Sequence, residues 1–253
     1  MIFQRSRKAI LTAGSIFVLL PALVLGQTVY STAGQPSASP GTEGNTFLSF
    51  LLEMGGGLEK HEVAITTDNE TVEISAGGGI GMGVQAGYLL THALEVEAEA
   101  AYMISVLSHE LENGEGGFNR GVFAGNLLYR VPIKENIRVL IGGGAGYYVG
   151  GEMDLDFSSA SDIGGAHNIY KYDNALGFQA RCVLEVFGLG ELFSKNMVVG
   201  VGIQYSSVRY DLQSMSSNGV DIPLDQLPKD IRAEFGELDG SGIDVVMHIA
   251  LYL

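Results

Sequence analysis

Three carboxylates at alternate positions, Glu95, Glu97 and Glu99, are the first residues in this sequence whose spacing demands a chemical explanation. Successive side chains on an extended chain point to opposite faces, so all three share one face. A buried face cannot hold three unpaired carboxylates, because each needs a cation or hydrogen-bond donors to offset its lost hydration. Arg130, Arg138 and Arg181 fall on the matching phase of later extended segments, which predicts an internal network of paired charges. A proton or ion path along the same groups is the alternative reading. Asp244 and His248 also share a strand face, and an acid beside an imidazole invites a catalytic interpretation. Residues four apart on a strand lie roughly 13 Å apart, whereas a base and its orienting acid must approach to about 3 Å. No serine is marked out as their nucleophile. The pair is therefore assigned to the charge network, and no catalytic residue is named.

Other chemistry-bearing patterns give weaker leads. Glu152, Asp154 and Asp156 alternate and would offer oxygen ligands to Ca²⁺, but the central Gly and terminal Glu of a calcium loop are missing. Solvated charge is the preferred reading, with no metal. The glycine runs at 77–81 and 142–146 invite a dinucleotide interpretation. Such a fingerprint opens a helix after a strand, whereas these glycines lie inside continued two-residue alternation. They are read as relieving crowding, and no cofactor is expected. The lone Cys182 excludes an intramolecular disulfide and falls on an apolar strand phase.

These residues need strands to position them, and the pattern supplies strands of unusual length. From Val72 to Tyr88, Val, Ile, Ala, Met and Tyr alternate with Gly, Ser, Glu and Gln. After a tight turn near Thr91 and His92 the alternation resumes through Leu94 to Val106, making a hairpin over 72–107. Each run exceeds the roughly nine to eleven tilted residues that cross a bilayer. Similar alternation marks a first strand from Phe47, a fourth at 120–131, a fifth from Ile137, a sixth from Leu176, a seventh from Val199 and a last at 243–253. Polar tracts at 59–71, 109–119, 150–172 and 211–240 read as four long loops. The last holds seven acids against Lys229 and Arg232, and its segment 228–235 carries helix start and stop signals. A short helix over one end, or a single turn in an irregular loop, would both fit.

Composition bounds the function classes. The formal charge is −15 over 253 residues, and there are 36 glycines, 11 Tyr, 11 Phe and no Trp. Residues 1–26 have the basic start, apolar middle and small-residue end of a secretory signal. Removing its three basic residues would leave 11 bases against 29 acids, or −18. A surface so acidic repels a phosphate backbone, so nucleic acid is not an expected partner. Residues 27–45, rich in Ser, Thr, Gly and Pro, read as a flexible lead-in, and 46–253 as one domain.

Eight strands joined by alternating long and short connections point to an all-β, eight-stranded antiparallel up-and-down transmembrane β-barrel with four long surface loops. In this the sequence resembles the small outer-membrane β-barrel family of Gram-negative bacteria, of the OmpA-transmembrane-domain and alphaproteobacterial surface-antigen type, over about 47–253. The resemblance implies a place in the cell outer membrane among its lipids and delivery by the barrel-assembly machinery. Members commonly end in Phe, whereas this chain ends Leu251-Tyr252-Leu253. The expected function is non-enzymatic: envelope structure, with loops presented for adhesion or antigen display to a host or surface ligand. A narrow porin-like channel and a lipid A-modifying enzyme are the alternatives. A soluble lipocalin-like barrel would instead turn its apolar face inward.

Overall fold

The computed structural model describes residues 45–65, 70–107, 114–134, 136–159, 165–187 and 196–253. The signal and all but the last residue of the lead-in lie outside the described residues, as does most of the turn after the sixth barrel strand.

Eight strands close on themselves. They are β1 (Thr46–Gly57), β4 (Gly78–Thr91), β5 (Leu94–Val106), β6 (Glu115–Lys134), β7 (Ile137–Asp156), β9 (Ala175–Phe187), β10 (Met197–Ser207) and β14 (Gly242–Tyr252). Each pairs antiparallel with its predecessor in that order, and β14 returns to β1 in register from Phe47↔Tyr252 to Gly57↔Gly242. Closure leaves no unpaired barrel edge, the only sheet form compatible with lipid. Period-two alternation then decides the faces. Phe50, Ile80, Phe123, Ile203 and Ile249 point out and are exposed, while Ser49, Gln85, Asn126, Gln204 and His248 point in and are buried. The apolar face is thus outside and the polar face inside, the reverse of a lipocalin. Cys182 lies on the outer face. Tyr252 turns inward, its ring centroid 5.2 Å from that of Phe47.

The hairpin expected over 72–107 is corrected at its first half. Thr71–Ile74 is a separate strand, β3, paired with β2 (His61–Ile65) in a small hairpin inside the tract read as the first loop. The barrel strand begins only at Gly78, where φ is +65°, followed by +110° at Gly79. Two consecutive left-handed glycines break the extended chain, a conformation that costs other residues a clash with their own Cβ. Val72, Ile74 and Ala76 are consequently buried, whereas Ile80 and Met82, on the same sequence parity, are exposed.

The described residues of the other tracts read as loops are also largely sheet. β6 and β7 are 20 residues each, roughly 65 Å along the strand at about 3.3 Å per residue, well beyond an apolar band of ~25 Å. Below Val149, β7 pairs with β9; above it, β7 pairs with β8 (His167–Tyr172), which pairs with β11 (Arg209–Ser217). The short strands β12 (Val220–Ile222) and β13 (Glu237–Asp239) flank β11. Between them lie a 3₁₀ turn at Leu224–Gln226 and helix α1 (Lys229–Phe235). The helix start at Pro228 and stop at Gly236 are as the sequence signals place them. Leu227 and Phe235 are buried, whereas Leu224 is exposed.

Candidate functional site: a filled lumen and a capped mouth

Along each strand the inward residues form layers two positions apart. At the short-turn end Phe47, Leu89, Val198, Ala250 and Tyr252 make an apolar floor. Above it, the Arg138 guanidinium hydrogen-bonds Glu185 and the Tyr252 hydroxyl and stacks 4.1 Å over the Phe187 ring. The second carboxylate oxygen of Glu185 meets His248 Nε2 at 2.9 Å. Arg130 Nε lies 3.5 Å from Glu95. Leu51, Leu128, Leu140, Val183 and Val246 pack together beside these groups, and Glu97, next to Glu95, leads to a further set of charges. There Arg181 donates to Glu99 at 2.5 Å, to Glu97 at 3.3 Å and through Nε to Gln204 at 2.8 Å. Gln204 passes a hydrogen bond to Glu53 at 3.1 Å, and Gln85 donates to Glu99 at 3.0 Å while accepting from Ser49 at 2.9 Å. Higher still, Arg120 Nη2 donates to the Gly78 carbonyl at 2.9 Å.

The structure thus brings Glu95 to Arg130, and Glu97 and Glu99 to Arg181. Arg138 meets a different acid, Glu185, because closure makes them direct ladder partners. His248 joins that same acid. Asp244 is the exception to the expected network: neither of its carboxylate oxygens has a hydrogen-bond partner among the described residues. Glu53, Glu185 and Arg120 belong to the filled interior but were missing from the sequence-derived set. Parity holds the signal that finds them, since Glu53 follows Leu51, Glu185 follows Arg181 and Arg120 precedes Arg130 in steps of two. Inward glycines make the space. A Cβ at Gly200 would run into the His248 ring, and one at Gly144 into the Gly125 carbonyl.

The mouth at the loop end is closed by a second, mainly aromatic core. Phe118 of β6 packs edge-on against Tyr210 of β11 and Tyr172 of β8, with centroids at 5.4 and 6.0 Å. Tyr170 meets Phe235 of α1 at 4.9 Å, and His61 of β2 approaches that ring at 6.4 Å. Ile74, Met153, Leu155, Leu212, Met215, Leu227 and Leu238 complete the cluster. The described residues of the first, third and fourth excursions therefore share one hydrophobic core with the upper ends of β6 and β7. Burial raises the Tyr172 and Tyr210 phenols above their ordinary range, with Tyr170 adding to the shift at Tyr172, and neither hydroxyl has a partner among the described residues.

The acids weighed as calcium ligands lie along the outer face of β7 without converging. Asp154 meets His167 at 2.7 Å, Glu152 lies 3.8 Å from Lys171, and Asp156 accepts from the Ser158 hydroxyl at 2.6 Å. Among the described residues no three metal-type side chains gather into one site.

No protein-family model and no curated protein sequence matches the chain. Among solved structures, the outer membrane protein OprG from Pseudomonas aeruginosa is similar at a TM-score of 0.50 and 10% identity, over 86% of this chain and 99% of its own. AlkL, solved by solid-state NMR in lipid bilayers, is similar at 0.47 and 12% identity, over 89% and 97%. Neisserial surface protein A gives 0.44 and 9%, over 85% and 99%. Identities this low relate folds and nothing finer. With its closed ladder, apolar girdle and polar filled interior, the chain has the fold of the small eight-stranded outer-membrane β-barrels.

Proposed function

We propose that the protein is a non-enzymatic surface scaffold, with the barrel as its anchor and the capped loop end as a platform for adhesion or antigen display. The observation that carries this reading is the common core under the described residues of the first, third and fourth excursions, which makes them one folded body instead of separate loops. Binding residues usually sit on segments held by a rigid scaffold. Glu115, Asp156, Asp154, Glu152 and Asp221 give the platform an acidic side, with Lys171 as the cation next to it. That polarity favours a basic partner and a salt-sensitive encounter. The filled lumen weighs against a porin-like role. The burial of His248 inside the barrel, 5% exposed, weighs against a hydrolytic centre there.

The test compares cells displaying the whole protein with cells in which 157–174 and 209–239 are replaced by short Gly-Ser turns. Attachment to immobilised lysozyme, a basic protein, is expected to exceed attachment to serum albumin, to fall with added salt, and to be lost with the platform. Attachment that is indifferent to the replacement refutes the proposal, as does a large, steady single-channel conductance of the intact protein.

A further inference from the structure

On the lipid-facing side of β1 the outward row runs Leu48, Phe50, Leu52, Met54, and the next outward position is Gly56. A Cβ built at Gly56 meets no atom within 4 Å. That empty space is the floor of a groove of about 360 Å³, inside the ~300–1,000 Å³ range of small-ligand pockets. Met54, Ile80, Ile104 and Val106 wall it, all on the outer phase, and Ile80 and Val106 are 65% and 68% exposed. Above them the segment leading to β2 and β3 places Lys60 and Glu73 at the rim, ion-paired at 2.8 Å. The back of the groove is pinned from inside the barrel, where Arg120 and the Ser105 hydroxyl both donate to the Gly78 carbonyl at 2.9 and 3.0 Å. The shape is therefore built into the fold and does not wait for a ligand.

We infer that this groove seats one acyl chain of a lipid of the surrounding membrane, with the lipid headgroup at the level of the Lys60–Glu73 pair. The groove is continuous with the lipid-facing girdle, so membrane lipid is the molecule already in contact with its open side. An empty apolar hollow would forfeit dispersion contacts along its whole lining. A chain lying against Met54, Ile80, Ile104 and Val106 restores those contacts, and the charged rim marks where its polar end must emerge. The inference concerns the barrel wall and is independent of any ligand of the loop platform.

The test uses the whole protein, folded into phosphatidylglycerol vesicles, released into mild detergent and weighed by native mass spectrometry. Wild type is expected to retain one phospholipid. Gly56→Leu fills the groove from its floor and is expected to lower the retained fraction about tenfold, as a loss of about 1.4 kcal/mol would. Val106→Phe, which fills it from the opposite wall, is expected to do the same. Leu184→Ile, on the outer face of β9 across the barrel from the groove, should leave retention unchanged, and heat-dependent gel mobility verifies that each variant is folded. Wild type that retains no lipid overturns the inference, as do equal retention by wild type and Gly56→Leu or equal loss in Leu184→Ile. Retention of added dodecanoate without phospholipid also overturns it, by assigning the groove to a free amphiphile.

Discussion

Replacing Arg181 with methionine probes the lumen most directly. The guanidinium serves Glu99, Glu97 and Gln204 at once, and the side chains of both acids are 1% exposed. Methionine keeps most of the bulk and removes the charge, so two carboxylates lose their counter-ion where water cannot replace it. Removing one member of a buried ion pair costs about 3–5 kcal/mol, a large share of a typical stability of about 5–15 kcal/mol. Urea unfolding in phosphatidylcholine vesicles, followed by the heat-shifted gel band, reads the loss. The triple variant Arg181→Met, Glu97→Gln, Glu99→Gln is expected to recover most of it, because neutral amides do not require a cation. A single variant within about 1 kcal/mol of wild type, the scale of an ordinary substitution, refutes the argument. Equal losses in the single and triple variants locate the cost in packing and not in charge.

Other consequences are as direct. Gly144→Ala drives a methyl group into the Gly125 carbonyl and should destabilise the barrel by about 1–3 kcal/mol, read in the same urea titration. The Tyr172 and Tyr210 phenols are raised by burial. The stability that they contribute is therefore fully present below their unfolded value of about 10 and is lost as pH rises beyond it. Protease resistance of 209–239 should fall between pH 9 and pH 11, and a Tyr172→Phe, Tyr210→Phe variant should lose less; an identical fall in both proteins would exclude the phenols as the cause. Deleting the cap at 157–174 and 209–239 should leave planar-bilayer conductance close to that of the intact protein, because side chains below the cap fill the lumen. A stable wide pore on deletion would show that the cap, and not the packed interior, closes the barrel.

Strand parity was legible from the residues alone. In β14 each step from Ile243 to Tyr252 alternates apolar and inward, and every one of those positions faces as the alternation requires. The rule is local, since the direction of a Cβ depends only on the extended backbone beneath it. Parity also placed the acids and arginines inside. The same rule failed at Val72–Ala76, because the alternation runs unbroken through Gly77–Gly79 while the backbone turns left-handed at Gly78 and Gly79. Glycine accepts either sign of φ, so its presence does not say which is used. β8 and β11 were hidden for another reason: their partners lie in separate excursions, and a polar segment becomes a strand only when another edge is held beside it.

What the chain determines by itself is therefore which side chains face lipid and which face the lumen, a matter of two-residue periodicity. Which acid meets which arginine is decided by the tertiary structure. Closure aligns Arg138 with Glu185 as ladder neighbours, carries Arg181 across the lumen to Glu97 and Glu99, and leaves Asp244 without a hydrogen-bond partner among the described residues. Those meetings depend on how the strands pair and stagger around the ring, a property that no single strand contains.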